Sequence, residues 1–571
     1  MPDFNLTREE IAQRDIGRTE ISAGLSWLLT VSFLLTLIIP PTVQLVLEVL
    51  CSPQRVAPSA LEIVHTLPAV GRVFQQADGS LWNRVLVANR RLVLGIEEYE
   101  QQLEERSWLR QNLLGPTQHA LTRWTGLGNE KAYVGRDGWL FYRPDVDYLT
   151  GPGFLEPAVL HRRVSSGKPG VAPPKPDPRP AIIEFHRQLS RRGIRLILMP
   201  LPGKSAIHPD RLTSRFDDST GPLENASFQR FKREVEAAGV LVFDPAPGMM
   251  RDKMAKDKVG QFLHTDTHWT PDAMQSVAAG LKTFIDQQCP LPATTPVEFS
   301  ERVREVEHLG DIAGMLRLPE GQTLFPREQV AIREVVEPGH LSWKPDERAD
   351  VLLMGDSYTN IYSLREMQWG AGAGLAERLS FALRRRLDRL AQNAGGSHAV
   401  RQALSQQMAR GHDRLRGKRV VIWQFAVREL AFGDWKTIPL PEPPATDHGA
   451  EQTPPTHATG ELVVRGTVRA AAGAPQPGSV PYRDAVTGVH LDHVEATAGS
   501  FPNREIVVYA WGLRDNRLMP AAKFAPHQQV TLRLVPWNAV RQKYERFNRI
   551  ELEDPEFRLA ELPIYWAEEA P

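Results

Sequence analysis

Cysteine and net charge are both scarce in this sequence, and each scarcity excludes a class of protein. The 571 residues contain two cysteines, Cys51 and Cys289, too few for a disulfide framework or a zinc cluster, while a single disulfide between them stays open. Lysine plus arginine and aspartate plus glutamate both total 68, so the formal net charge is zero. A dedicated nucleic-acid-binding protein needs a basic surface to displace counterions from phosphates, so the sequence argues against that class.

Long apolar runs are scarce too, and the one present lies near the N-terminus. Residues 21–47 contain no charged side chain, and Ile21–Ile39 spans about 28 Å as a helix, which matches a bilayer core. We expect Pro40 and Pro41 to end or kink this helix. The sequence predicts a transmembrane signal anchor at 21–47, because no small-residue cleavage site follows the run. A buried helix is the alternative interpretation.

The charges around this run predict its orientation. Arg8, Arg14 and Arg18 precede it, and only Arg55 follows soon after. Because positive residues favour the cytoplasmic side, residues 1–20 are predicted to be a cytoplasmic tail. The remainder of the chain would then lie outside the inner (cytoplasmic) membrane, on its periplasmic side.

The segment after the anchor is predicted to be helical and then to turn. Residues 51–130 read as a helical stalk, in which Arg84–Asn112 carries apolar residues at spacings of three and four. Ala132–Tyr142 is typical of two short strands joined by a turn at Asp137-Gly138. The proline-rich Ser165–Pro180 is predicted to be an extended surface loop.

Residues 131–438 are predicted to form an α/β domain with a mostly parallel sheet covered by helices on both faces. This expectation depends on short apolar strands that alternate with amphipathic helices. The predicted strands are Ile194–Met199, Val240–Asp244, Asp350–Met354 and Arg419–Gln424. The predicted helices are Ala181–Arg192, Phe228–Ala238, Pro271–Gln288 and a basic helix over Leu375–Leu390.

The C-terminal part of the chain has a different composition. Residues 439–460 are rich in proline, threonine and charge, which predicts a linker. Residues 461–571 contain β-rich runs separated by turns, which predicts a small all-β sandwich or barrel. Aromatic residues of this domain either stack on sugar rings, as in a carbohydrate-binding module, or fill its core, which is commoner; they are Tyr509, Trp511, Trp537 and Tyr544.

The sequence Gly355-Asp356-Ser357 directly follows a predicted buried strand. The carboxyl end of a parallel strand is where α/β folds build their sites, and the glycine permits a sharp turn. The Ser357 N–H at a helix N-terminus is placed to donate to a developing oxyanion. Alone, this motif is also compatible with an ordinary capped turn. A serine nucleophile needs a base that a third group orients.

Asp266 and His268 form the conspicuous candidate pair for that base. An aspartate two residues before a histidine can accept the Nδ1–H and leave Nε2 facing the serine. A structural loop is the alternative. The spacing of His264, Asp266 and His268 also resembles a metal site, but no supporting ligand cluster follows elsewhere, so neither a metal nor a cofactor is predicted.

Together these segments resemble the SGNH-hydrolase-like domain of the alginate O-acetyltransferase family (AlgJ/AlgX type). The resemblance covers residues from about 130 to 435, and Asp-x-His precedes Ser, in the permuted order of that family. The matching segments are Val134–Tyr142, Leu198–Pro209, Asp266–Thr270, Gly355–Tyr358 and Val421–Leu430.

The resemblance implies a site and a pathway. It assigns Ser357 as nucleophile, His268 as base and Asp266 as its orienting partner. Oxyanion or substrate candidates are Asn393 and Gly395, Tyr358 beside the serine, and Arg428. Asn393 and Gly395 lie in a glycine-bearing loop that is alternatively a plain turn after the helix, and Arg428 either holds a substrate carboxylate or caps the sheet. The implied acetyl donor is a multispanning membrane O-acyltransferase, and the implied acceptor is a polysaccharide.

Three functions remain open from the sequence. The first is an O-acetyltransferase that acetylates an exported polysaccharide, alginate or a similar polymer, through an acyl-serine. The second is a carbohydrate acetyl esterase with the same three residues and water as acceptor. The third is a non-catalytic polysaccharide-binding scaffold, which the intact candidate residues argue against.

Overall fold

The protein is seen in a computed structural model that divides after Ala120 into two compact units. The described residues are 22–51, 64, 66–76, 80–166, 173–217, 221–255, 260–393, 395–441, 462–477, 480, 482–497, 501–544, 547–552, 554 and 558–568. The predicted cytoplasmic tail at 1–20 and most of the predicted linker at 439–460 therefore lie outside the described residues.

The N-terminal part of the chain consists of helices. They are α1 (Ala23–Cys51), α2 (Thr66–Gln76), α3 (Leu81–Arg106) and α4 (Trp108–Thr125). Helix α1 continues through Pro40 and Pro41, so of the two expected effects of these prolines, an end or a kink, the end is wrong. Two missing N–H donors interrupt the backbone ladder only locally, and apolar helices tolerate proline where neighbouring turns keep their bonds.

Helix α1 is long and apolar enough to cross a membrane. Residues Ala23–Leu50 have a mean hydropathy of 2.0 in their most apolar window, and large side chains such as Trp27, Phe33 and Ile38 are exposed. An apolar helix with its side chains outward is suited to a lipid environment. This matches the predicted single-pass anchor in length and composition.

The α/β domain contains a five-stranded parallel sheet of order β4-β3-β10-β8-β9, which confirms the predicted fold class. Successive side chains of β3 and β8 pack alternately into two apolar cores, one on each face: Leu353 lies in one core and Leu352 in the other. The strands are β3 (Arg195–Leu201), β4 (Leu241–Val242), β8 (Val351–Gly355), β9 (Asp388–Ala391) and β10 (Val420–Ala426).

Helices cover both faces of this sheet, and a hairpin of β1 (Ala132–Val134) and β2 (Leu140–Tyr142) precedes it. Its turn places Asp137 and Gly138 at positive φ, as predicted. The helices are α5 (Arg143–Thr150), α6 (Pro157–Ser165), α7 (Pro178–Arg191), α8 (Lys204–Ile207), α9 (Pro209–Leu212), α10 (Phe228–Ala237), α11 (Ala246–Met254), α12 (Pro271–Gln288), α13 (Asp311–Met315), α14 (Ser357–Asn360), α15 (Leu375–Leu383), α16 (Ala399–Ala409) and α17 (Glu429–Phe432).

Two sequence expectations for this domain are wrong. The helix predicted over Leu375–Leu390 ends at Leu383, where Arg384 takes a left-handed backbone conformation, and the chain then forms edge strand β9. The predicted loop Ser165–Pro180 is partly helical, because Asp177 caps helix α7 and prolines fit its first turn. Residues 167–172 of that loop lie outside the described residues.

The sequence also gave no sign of a three-stranded antiparallel sheet beside the α/β domain. It contains β5 (Ser300–His308), β6 (Glu328–Glu337) and β7 (Leu341–Ser342). Strand β5 is mostly exposed and carries charged residues at most positions, so its strand pattern is weak. Helix α13 lies between β5 and β6 and begins at Asp311.

The C-terminal region is a β-barrel. Strands β13, β17, β15, β11 and β12 pair in that order, and β12 also pairs with β13, so the ring closes. Closure removes the free sheet edges that a sandwich would leave. The elements are β11 (Leu462–Ala471), β12 (Ala485–Ala496), β13 (Ile506–Arg514), β14 (Arg517–Leu518), β15 (Gln529–Pro536), α18 (Trp537–Tyr544), β16 (Asn548–Ile550) and β17 (Ile564–Glu568).

Edge strand β9 carries a buried charge cluster. Asp388 is fully buried and accepts hydrogen bonds from Arg414, and it pairs with Lys418 at 3.2 Å. Asp388→Asn would leave buried Lys418 without its anion and Arg414 with only the partly exposed Glu347, so we expect a loss of about 3–5 kcal/mol in the free energy of unfolding, measured by urea denaturation. Asp286→Asn, which removes the exposed partner of Lys282, should cost less than about 1 kcal/mol. Equal effects of the two changes would contradict this.

Candidate active site

Ser357 lies at the carboxyl end of strand β8 and begins helix α14. The preceding residue, Asp356, caps this helix by accepting the Tyr358 N–H at 2.9 Å, and its other oxygen accepts the Ala426 N–H at 2.9 Å. Gly355 is required by space, because a Cβ there would lie 2.1 Å from the hydroxyl oxygen of Thr359. Asp356 therefore ties the end of strand β8 to the adjacent parallel strand β10, which fixes the position of Ser357.

The loop before helix α12 brings His268 against this serine. The His268 Nε2 atom lies 2.9 Å from Ser357 Oγ, and its Nδ1 lies 2.6 Å from Asp266 Oδ1. All three side chains are buried or nearly so. The structure thus joins the three residues predicted to act together into one continuous hydrogen-bonded relay.

The Asp266 carboxylate accepts four hydrogen bonds, two of them from His268 in the same loop. Besides the imidazole, the His268 N–H donates to Oδ1 at 3.0 Å, while the Asp311 N–H at 3.0 Å and the Trp369 indole N–H at 2.9 Å donate to Oδ2. Burial alone would raise the pKa of Asp266, but the His268 charge and these donors lower it below its ordinary value. The carboxylate is therefore ionised and fixed in orientation.

A second carboxylate, Asp311, lies beside the relay and was not predicted from the sequence. It accepts the Thr267 N–H at 2.6 Å and the Thr267 hydroxyl at 2.7 Å, and its Oδ2 lies 3.9 Å from His268 Nδ1. Burial and the Asp266 charge raise the pKa of Asp311 to about 6. Its distance of 43 residues from His268 in the chain leaves no local spacing that could have identified it.

These carboxylates set the basicity of the histidine. Burial alone would lower the pKa of His268, but the charge of Asp266, the hydrogen bond from Nδ1 and the nearby Asp311 raise it above its ordinary value. A histidine with a raised pKa and Nε2 facing a hydroxyl is suited to accept the serine proton at near-neutral pH.

The donor atoms of Asp266, His268 and Asp311 all lie within 4.8 Å of one another, a separation that a metal ion could bridge. Hydrogen bonds within the loop already engage them: His268 Nδ1 with Asp266, and both Asp311 oxygens with Thr267. His264, the third member of the metal-like spacing in the sequence, is half exposed and pairs weakly with Glu328 instead. The donor set is therefore better explained as a serine–histidine relay.

A cavity of about 310 Å³ opens onto Ser357 and His268. Ser357, Gly395 and Gly396 line it, and the backbone N–H group of each has no acceptor among the described residues. Gly396 has a positive φ of 64°, and a Cβ on Gly395 would lie 2.4 Å from that of Ala399. Unpaired N–H donors around a serine hydroxyl are what stabilisation of an oxyanion requires.

The other candidate residues are distributed unevenly around this cavity. Gly395 and Arg428 line it, and Arg428 pairs with Asp145 at 2.9 Å, which favours the structural alternative for its charge. Tyr358 packs its ring on His268 and donates its hydroxyl to the Thr267 carbonyl at 3.0 Å. Asn393 is buried outside the cavity lining, with its side chain bonded to Asn360 and Met367. Its side-chain nitrogen therefore bonds to Met367 and does not line the cavity.

The aromatic residues of the barrel contact one another. Tyr509 and Trp537 have ring centroids 4.9 Å apart, and Trp511 and Tyr544 lie 5.7 Å apart, each in an edge-to-face arrangement. Tyr544 also stacks on Trp566 with centroids 3.7 Å apart. This mutual packing indicates that they are core residues of the barrel.

Comparison with known proteins identifies the family of this α/β domain. Residues 132–427, just over half of the chain, match the family described as the SGNH hydrolase-like domain of the acetyltransferase AlgX. The chain belongs to this family. The match contains Asp266, His268, Asp311 and Ser357, and the barrel lies outside it.

Individual relatives agree with the family. A probable alginate O-acetylase AlgJ of Pseudomonas aeruginosa is 28% identical over 235 residues, covering 40% of this chain and 53% of the relative. That of Azotobacter vinelandii is 26% identical over 282 residues, covering 48% of this chain and 65% of the relative. The chain thus spans about half to two-thirds of the curated relatives that it matches. The solved O-acetyltransferase domain of Pseudomonas putida AlgJ aligns at 20% identity with a TM-score of 0.40, covering 53% of this chain and 93% of that domain.

The carboxylate pair beside His268 leads to a prediction on pH dependence. Ser357 reacts with a sulfonyl fluoride only when His268 is neutral, so the labelling rate should rise with pH through a midpoint above the ordinary imidazole value of about 6.5. Asp311→Asn removes a negative charge 3.9 Å from Nδ1, which makes the imidazolium less stable. We expect the midpoint to fall by about half to one pH unit, because Asp311 is itself partly protonated in this range.

The labelling rate is measured by mass spectrometry of the Ser357 peptide over about two pH units on either side of neutral, the range in which histidine titrates. Asp272→Asn serves as the control, because Asp272 is exposed on the first turn of helix α12 and pairs, among the described residues, only weakly with Arg333 at 3.9 Å. An unchanged midpoint in Asp311→Asn would show that this carboxylate does not act on His268.

Proposed function

We propose that this protein is a serine-dependent O-acetyltransferase that acetylates hydroxyl groups of an exported polysaccharide. The observation that carries the proposal is the relay from Asp266 through His268 to Ser357, with distances of 2.6 and 2.9 Å, at a cavity that Ser357 lines together with two glycines. The relatives named as probable alginate O-acetylases support acetyl transfer as the reaction and alginate or a similar polymer as the acceptor.

The first half of the reaction acylates the serine. His268 Nε2 accepts the proton from Ser357 Oγ while the oxygen attacks the carbonyl carbon of an acetyl donor. The N–H groups of Ser357, Gly395 and Gly396 are placed to stabilise the negative oxygen of the tetrahedral intermediate. The leaving group departs with the proton held by His268, and an acetyl ester remains on Ser357.

The second half transfers the acetyl group to the polymer. A sugar hydroxyl in the cavity gives its proton to His268 and attacks the acetyl carbonyl, after which Ser357 recovers the proton. Asp266 remains ionised throughout and stabilises the imidazolium, as its lowered pKa requires. An acetyl esterase would use the same residues with water as the acceptor, so the two functions differ in what occupies the cavity.

The test uses the full-length protein in detergent with 4-nitrophenyl acetate, with and without de-acetylated alginate oligosaccharide. We expect acetylated oligosaccharide by mass spectrometry, and a loss of more than about 10³-fold in Ser357→Ala, because the nucleophile is absent. Ser205→Ala is the matched control: its hydroxyl is buried without a partner among the described residues. Hydrolysis that the oligosaccharide leaves unchanged, with no acetylated sugar, would instead identify an esterase.

We further propose that helix α1 anchors the protein in the inner membrane, with the α/β domain and the barrel on the periplasmic side. The length and composition of α1 support an anchor, and the arginines before it support a cytoplasmic N-terminus. In that location the acetyl donor is a multispanning membrane O-acyltransferase that passes acetyl groups across the bilayer. A single helix offers no such path.

This orientation can be tested with reporter fusions. Alkaline phosphatase fused after Pro571 should be active, because this enzyme folds and forms its disulfides only outside the cytoplasm. Green fluorescent protein fused at the same position should not fluoresce, because it would be exported with the domain. Green fluorescent protein fused before Met1 is the control and should fluoresce. The opposite pattern would place the α/β domain in the cytoplasm and exclude an exported acceptor.

A further inference from the structure

The barrel makes direct polar contact with the loop that carries Gly395 and Gly396. Asn548, the first residue of strand β16, accepts the backbone N–H of Asn393 on its Oδ1 atom at 2.8 Å. Its Nδ2 atom donates to the hydroxyl of Tyr482 at 2.9 Å, and Tyr482 is buried in the barrel. The side chain of Asn548 is thus fixed from the barrel side and directed at the loop.

Asn393 continues this contact to the nucleophile. Its Oδ1 accepts from Asn360 Nδ2 at 2.8 Å, and Asn360 is the last residue of the short helix that begins at Ser357. The neighbouring Gln392 N–H donates to the Gly355 carbonyl at 3.0 Å, on the strand that ends at the serine. The residues before and after Ser357, Gly355 and Asn360, are therefore both hydrogen-bonded at normal length to the loop that Asn548 holds.

A second contact holds the far end of the loop. Helix α16 follows it, and the side-chain amides of Gln402 and Gln406 both donate to the Leu552 carbonyl, at 2.9 and 3.3 Å. The two glycines consequently lie between two attachments to residues 548–552 of the barrel. Because glycine has the largest backbone freedom of any residue, a loop containing two of them needs such attachments to present its N–H groups at fixed positions.

We propose that Asn548 of the barrel is a positioning residue of the active site, which fixes Asn393 and thereby holds the Gly395 and Gly396 N–H groups at the Ser357 cavity. This inference rests on the proposed acylation of Ser357. If Asn548 acts in this way, the barrel affects the acylation of Ser357 even when the acceptor is not a polymer. A barrel that only bound polysaccharide would leave the reaction with a small ester unaffected.

The test compares three variants of the full-length protein in detergent with 4-nitrophenyl acetate. Asn548→Leu keeps the size of the side chain but removes the acceptor for Asn393, so kcat should fall about 10- to 100-fold with KM little changed. Asn548→Asp retains an acceptor for both Asn393 and Tyr482 and should restore most of kcat. Asn503→Leu is the matched control: Asn503 makes the same kind of bond to a tyrosine hydroxyl, that of Tyr565, within the barrel.

Hydrogen–deuterium exchange of the Gly395 and Gly396 amides supplies a readout that needs no turnover. It should become faster in Asn548→Leu and stay unchanged in Asn503→Leu. An unchanged kcat in Asn548→Leu overturns the inference, as does an equal loss in both leucine variants, which would indicate general damage to the barrel. If the unmodified protein neither turns over the ester nor forms an acetyl-Ser357 adduct, the proposed function fails, and the exchange rates alone then decide whether Asn548 holds the loop.

Discussion

The burial of one ionised carboxylate, that of Asp266, is the constraint on which the site depends. A buried charge is tolerated only when hydrogen bonds and an opposite charge compensate for lost water, and Asp266 receives four donors from three different segments of the chain. The orientation of His268 therefore depends on the positions of Trp369 and Asp311. The relay exists because the fold around Asp266 closes correctly, which links the stability of that region to the geometry of Ser357.

The three-stranded antiparallel sheet of β5, β6 and β7 and the helix between β5 and β6 contribute to this closure from outside the parallel sheet. Glu328, at the start of β6, accepts the N–H groups of His264 and Thr265 at 2.8 and 2.7 Å. Asp311, at the start of helix α13, accepts the N–H and the hydroxyl of Thr267. Two carboxylates thus hold the loop 264–268 at alternate positions, while its own Asp266 holds the histidine. A loop with so many backbone N–H groups satisfied by fixed acceptors has little freedom, and a precise histidine position follows.

The sequence could predict the nucleophile, the base and the parallel sheet because each has a local pattern. Ser357 follows an apolar strand and a glycine, Asp266 and His268 lie two residues apart, and buried parallel strands are continuous apolar runs. Asp311 and Asn548 have no such pattern: their roles arise from contacts across the fold. Strand β9 was missed for a related reason, since its buried Asp388 is compatible with a sheet only once Arg414 and Lys418 neutralise it. The direction of the Asn393 side chain likewise depended on a partner, Asn360, that spacing does not reveal.

The choice between sugar and water as the acceptor must lie outside the relay, because the relay is the same for both. The cavity over Ser357 is open enough to admit water, so a transferase succeeds only if a bound sugar hydroxyl reaches the acyl carbon faster. Holding that hydroxyl against His268 Nε2 raises its effective concentration to about 10⁵ M or more, far above that of liquid water. Under the proposed function, the residues that decide the outcome are those that would hold a sugar ring in the cavity, whose lining includes Tyr142, Met315 and Val480. Val480 lies between barrel strands β11 and β12, so part of this cavity lining comes from outside residues 132–427, the region that matches the family.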